Sequence, residues 1–139
     1  MAKLYFDSRD ELVCLDSDLI AAVQASGNYT RVVYVTKREM MLTFGISKME
    51  NILKQYNDKQ TRFIRLGRSF IVNHRFLQKI DLLKQVIILS DGDKNEIRIT
   101  IPKQTLKAYK VSVTKSIKIK EHENNIVRKR RESAISDQE

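Results

Sequence analysis

The sequence predicts a mostly β domain with one or two short helices. Three observations carry that prediction. Short runs rich in Val, Ile and Tyr are separated by Gly, Asn and Asp, the composition of strands joined by tight turns. Two of these runs alternate with a period of two, as a strand with one buried face does. One segment near residues 47–57 carries the apolar spacing of an amphipathic helix.

Leu19 to Ala25 is an apolar run too short for most helices. It ends at Ser26-Gly27-Asn28, where Gly and Asn accept positive φ at low cost. Tyr29 to Val35 favours strand through its Val and Tyr content. Met40, Leu42 and Phe44 alternate with Glu39, Met41 and Thr43, giving the next strand, and Lys37-Arg38 lies near the turn between the two. Ser47 and Glu50 form the S-x-x-E pattern of a capping box, which opens a helix. Ile46, Met49, Ile52, Leu53 and Tyr56 share one face of it, and Asn57-Asp58 ends it.

After residues 63–73, His74 to Leu77 suits a single helical turn. Lys79 to Leu83, Val86 to Leu89 and Ile97 to Ile101 suit three short strands, with Asp91-Gly92-Asp93 as the turn between the last two. In the last strand Ile97, Ile99 and Ile101 face one way and Arg98 and Thr100 the other. Pro102 ends that strand and opens a helix, because a first helical turn does not need its missing N–H. Leu106, Tyr109 and Val113 continue it. Beyond Lys115 the chain is polar and contains the run Arg128-Lys129-Arg130-Arg131, which suits frayed helix followed by a flexible tail. The expected organisation is an N-terminal extension (1–8), one domain (9–114) and a charged tail (115–139).

Length and apolar content agree with this division. The 139 residues suit one domain plus a tail, and 42% hydrophobic residues suffice for a core. The formal charge is +9, and most of the excess lies in residues 1–114. That balance favours a polyanionic partner, since clustered cations release counterions when they neutralise phosphates; the alternative is a solvated basic surface. Cys14 is the sole cysteine, and His74 and His122 are the only histidines, so neither a disulfide framework, a zinc site nor any other cofactor is expected. A reducing, cytoplasmic setting follows. The N-terminus lacks a signal core, and no apolar stretch is long enough for membrane insertion. Cys14 with His74, or His74 with Asp81, comes without a catalytic motif, so the chain is not expected to be an enzyme.

The segment Phe63-Ile64-Arg65-Leu66-Gly67-Arg68-Ser69-Phe70-Ile71-Val72-Asn73 resembles the signature of the LytTR DNA-binding domain. Other pieces follow in the family's order. Ala25 to Arg31 resembles its Gly-Asn-Tyr loop, the helix lies between, and Pro102-Lys103-Gln104 stands where the family has a short Ser-Arg segment before its last helix. The resemblance covers roughly residues 9–113. It implies an elongated, antiparallel multi-sheet domain whose loops enter successive major grooves of double-stranded DNA, typically at paired direct repeats, to regulate bacterial transcription. Family position assigns base contacts to Thr30 and Arg31, to Arg68 and to Lys103. The sequence departs from the family in having Gly67 where His is common, Thr30 where some members use His, and Pro102-Lys103 in place of Ser-Arg.

Side-chain chemistry bears on the same residues. An Arg at position 68 suits guanine, which it can meet with two hydrogen bonds; the alternative is a surface ion pair with Asp81 or Glu96. Arg65 suits a phosphate or a carboxylate. Ser69 can donate to a phosphate or close a turn. Asn73 suits a cap of the following turn. Arg31 suits phosphate contact or simple exposure, and Lys103, Gln104 and Lys107 lie at or near a helix N-terminus that can hold phosphate. Two other functions compete. RNA binding would need stacking aromatics such as Tyr29 and Tyr34, and a protein-interaction module could engage a partner through the tail. Family members usually carry a receiver domain ahead of the DNA reader; the residues before this domain are too few for one, so control is expected from expression level, a partner or a ligand.

Overall fold

In a computed structural model of the chain, residues 3–57 and 62–118 are described. The chain falls into two compact units, residues 1–106 and 107–139. Among its described residues the first contains ten strands: β1 (Lys3–Asp7), β2 (Leu12–Asp16), β3 (Ile20–Ser26), β4 (Tyr29–Tyr34), β5 (Glu39–Leu42), β6 (Phe63–Leu66), β7 (Phe70–Asn73), β8 (Leu77–Asp81), β9 (Val86–Ser90) and β10 (Glu96–Thr100). Helix α1 spans Ile46–Lys54, and residues 103–118 form α2, which starts in the first unit. In the second unit, residues 107–118 are helical. The basic run Arg128–Arg131 expected in the tail lies outside the described residues.

All pairings are antiparallel. The strands form a two-stranded sheet, a three-stranded sheet ordered β10-β9-β8, and a five-stranded sheet ordered β5-β4-β3-β7-β6. The mostly β, multi-sheet architecture with two helices is the one the sequence predicts. β1 and β2 are additions to that reading. Residues 3–7, set apart from the sequence as an extension, pair along their length with β2, and Leu4 and Leu15 are buried in the core. Their neighbours Lys3, Tyr5 and Asp7 are exposed, so the strand shows its inner face through only one or two apolar residues.

One core cluster joins this hairpin and α1 to the five-stranded sheet. It includes Leu4, Leu15, Val23, Val32, Met49, Leu53 and Ile71. The period of two explains its membership, since Val23 stands opposite both Val32 and Ile71. Ile46, Met49 and Leu53 supply the buried stripe of α1. The helix start differs from the expected capping box. Gly45 is the N-cap and Ser47 already lies inside the helix, so Ser47 cannot cap the first turn and Glu50 is released for another partner. At the opposite end of the sheet Asn73, fully buried, performs the expected capping. Its side-chain oxygen accepts the Arg75 N–H at 3.2 Å while its amide donates to the Ile20 carbonyl at 3.0 Å.

Candidate nucleic-acid interface

The sheet register brings two turns to one end of the five-stranded sheet. β3 and β4 are joined through Gly27-Asn28, and β6 and β7 through Gly67-Arg68-Ser69. β3 runs antiparallel to β7 with Gln24 opposite Phe70, and just beyond that pair the Ala25 N–H donates to the Ser69 carbonyl at 2.8 Å. The signature segment is therefore a hairpin, with its glycine at φ 64. This left-handed conformation favours Gly over any residue with a Cβ. The start of α2 completes the cluster. A Cβ on Gly67 would stand 3.3 Å from Thr105 Oγ1, so the Arg68 turn and the Lys103–Thr105 segment lie against one another.

Arg68 is exposed and forms no ion pair with any other described residue. The two carboxylates that could have held it are engaged elsewhere: Asp81 with Lys79 at 3.8 Å, and Glu96 with Arg98 at 3.5 Å. Ser69, Lys103 and Gln104 are also exposed. Arg31 is half exposed and has a weak 4.0 Å contact with Glu39, an exposed pair that holds it only loosely.

Two predicted contact residues stand differently. Thr30 is fully buried, and its hydroxyl donates to the Phe44 carbonyl. This corrects the expectation that it faces bases. Thr30 shares the inward face of β4 with Val32, whereas Tyr29 and Arg31 alternate to the other side. Arg65 is largely consumed within the protein. Its Nη1 donates to Glu50 at 3.0 Å, its Nε to the Gly67 carbonyl at 3.0 Å and its Nη2 to the Arg68 carbonyl at 2.7 Å. Lys107 is exposed on the helix of the second unit.

As a contact residue Tyr29 is expected from the sequence only for RNA binding, and Glu50 is not expected as a partner of Arg65. Tyr29 is 52% exposed beside the Gly27-Asn28 turn, and strand alternation from the buried Val32 would have indicated its outward face. Glu50 lies fifteen residues from Arg65, and no local pattern announces the pairing. Among the described residues there is no group of three or more His, Cys, Asp or Glu side chains able to hold a metal, and no helix long and apolar enough to cross a membrane.

A family model described as the LytTr DNA-binding domain matches residues 10–113. Among solved structures, the chain is similar to the LytTr DNA-binding domain of a Bacillus cereus protein described as a methyl-accepting/DNA response regulator. That similarity has a TM-score of 0.51 and 19% identity, covering 78% of this chain and 93% of that one; at this identity it speaks to the fold. No curated protein matches.

Proposed function

The chain belongs to the LytTr DNA-binding domain family, and on that premise we propose that it recognises specific double-stranded DNA sequences through the turns at one end of its five-stranded sheet and so regulates transcription. One observation carries this reading: the Gly27-Asn28 turn, the Gly67-Arg68-Ser69 turn and the start of α2 lie together, the two turns joined by the Ala25–Ser69 hydrogen bond and Thr105 standing close beside Gly67. A major groove about 12 Å wide admits a two-stranded ribbon or a helix, and a hairpin turn beside a helix start suits that opening.

In this reading Arg68 enters the major groove and pairs with guanine, as an unengaged guanidinium can. Lys103 supplies a point charge near a base or phosphate, and Gln104 and Ser69 donate to the backbone. Arg31 adds a phosphate contact, with the salt dependence that counterion release confers, and Lys107 of the second unit is a phosphate ligand in its own right. Thr30 contributes through the fold, with its hydroxyl turned inward. A protein partner engaging residues 115–139 is compatible with this reading.

The test is selection of duplexes from a randomised library, followed by footprinting of the full chain on the selected site. The expected result is a protected pair of direct repeats separated by about one helical turn or a multiple of it. Equal affinity for selected and scrambled duplexes, or stronger binding to single-stranded RNA in competition, would overturn the reading.

A further inference from the structure

Arg65 is the more buried of the two signature arginines, and Nε, Nη1 and Nη2 each donate within the protein. We infer that Arg65, held by Glu50, is a positioning residue that presets the turn from which Arg68 projects. The inference rests on the proposed role of Arg68; of the phosphate or carboxylate contact that the residue type suggests, Arg65 makes the carboxylate one, and the inference gives that pair its purpose.

The planar fork of a guanidinium can address several acceptors at once. Here one edge holds the turn and the other holds the helix. Nε and Nη2 donate to the consecutive carbonyls of Gly67 and Arg68, while Nη1 donates to Glu50 Oε1. Glu50 stands on α1, whose Ile46, Met49 and Leu53 are embedded in the core. The chain of contacts therefore runs from a core-embedded helix through a carboxylate and a guanidinium to the carbonyls on either side of the Arg68 Cα. Both charged side chains are about three-quarters covered, with 22% exposure for Arg65 and 25% for Glu50. Lys54, 63% exposed, approaches the other Glu50 oxygen at 3.7 Å.

Charge supports the same assignment. A cation serving as a phosphate ligand loses attraction when a carboxylate sits 3.0 Å away. A cation that fixes a turn gains from it, because the carboxylate orients the fork and charge-assisted hydrogen bonds are the stronger ones. Preorganisation then appears as specificity: a turn held in its bound shape loses less conformational freedom when its side chain meets a base.

The experiment measures binding of the full chain to a duplex selected with the wild-type protein and to a scrambled duplex, across several salt concentrations. Arg68→Ala is the reference arm. Glu50→Ala removes a negative charge near the proposed DNA surface, so electrostatics alone predicts tighter binding to both duplexes. Positioning predicts the opposite on the selected duplex: a loss on the order of ten-fold, within the range of one base contact, with scrambled binding no weaker than wild type. Arg65→Lys keeps the charge but cannot address three acceptors in one plane, and it is expected to show the same selective loss with an unchanged salt slope. Glu50→Gln keeps an acceptor oxygen and is expected to retain most of the selectivity, which also separates positioning from a folding defect. If Glu50→Ala tightens both complexes and Arg65→Lys binds as wild type, the positioning role is overturned while the Arg68 arm still tests the underlying reading. If Arg68→Ala also leaves both duplexes unaffected, that reading itself fails.

Discussion

Gly67 and Thr105 meet where a Cβ on the glycine would press on the threonine side chain. Gly67 has φ 64, and a Cβ there would lie 3.3 Å from Thr105 Oγ1 and 3.5 Å from its Cγ2. Two penalties thus coincide at one position. Gly67→Ala is expected to lower stability by about 1–2 kcal/mol from the left-handed backbone alone, plus a steric increment from Thr105. Gly27→Ala is the control, since Gly27 has φ 62 and open space around its Cα. Urea unfolding should rank Gly67→Ala as the more destabilised, and adding Thr105→Ala should bring its cost toward that of Gly27→Ala. Equal costs for the two single variants would show that the turn and the helix start do not press on one another.

Thr30→Val separates packing from recognition. The substitution is nearly isosteric but removes the only hydroxyl that donates to the part-buried Phe44 carbonyl among the described contacts. The expected loss is about 1–2 kcal/mol of stability, read by thermal or urea unfolding. The ratio of affinities for selected and scrambled duplexes should stay at the wild-type value. A variant of unchanged stability that discriminates less between duplexes would return Thr30 to the interface.

The contrast between Thr30 and Arg68 shows how far the sequence is legible. Turn residues at Gly27-Asn28 and Asp91-Gly92-Asp93, together with alternation in residues 97–101, locate strands because those signals are local. The same alternation, carried from Val32 along β4, turns Thr30 inward, although family position alone suggests the reverse. β1 and β2 escape notice because their apolar residues run consecutively, Leu4-Tyr5-Phe6 and Leu12-Val13-Cys14-Leu15, without the alternation that marks a half-buried strand, and the hairpin gains its stability from tertiary burial of Leu4 and Leu15. Ser47 and Glu50 match a capping box by spacing, but the helix begins at Ile46, one turn-position too early for Ser47 to cap it. Glu50 finds Arg65 instead, through a contact between a helix and a strand that no sequence period encodes.

Asp91 offers a pH-dependent check on the β9–β10 turn. Its carboxylate accepts the Asn95 side-chain amide at 2.7 Å and the backbone N–H groups of Asp93 at 2.8 Å and Asn95 at 3.2 Å. These bonds favour the ionised form, with the Asn95 side chain as the largest cause, and hold the group below its ordinary 3.8. A carboxylate depressed in the folded state contributes stability that is fully present above its unfolded value and is lost as pH falls through the folded value. Carboxyl NMR should place the Asp91 titration below that of an unstructured Asp, and Asp91→Ala should flatten the corresponding part of the stability profile between about pH 2 and 5. A midpoint at the ordinary value would mean that the turn bonds do not form in solution.

Arg68 provides the sharpest test of the interface, because three physical roles give three different results. A fork onto guanine predicts that Arg68→Ala costs about 1–3 kcal/mol on the selected duplex, costs little on a scrambled one, and relaxes preference at one base pair. A phosphate contact predicts similar losses on both duplexes and a salt slope shallower by roughly one unit. A bystander predicts no change in either. The exposed, unengaged guanidinium favours the first, since neither Asp81 nor Glu96 holds it back. Arg68→Lys refines the outcome: it keeps the charge but loses the planar fork, so base reading predicts that the lysine variant loses discrimination while its scrambled-duplex affinity and salt slope stay near wild type. Titration of the three proteins on both duplexes at several salt concentrations distinguishes these cases. Equal losses on selected and scrambled DNA would reduce Arg68 to a phosphate ligand and move base recognition to Lys103 and the Gly27-Asn28 turn.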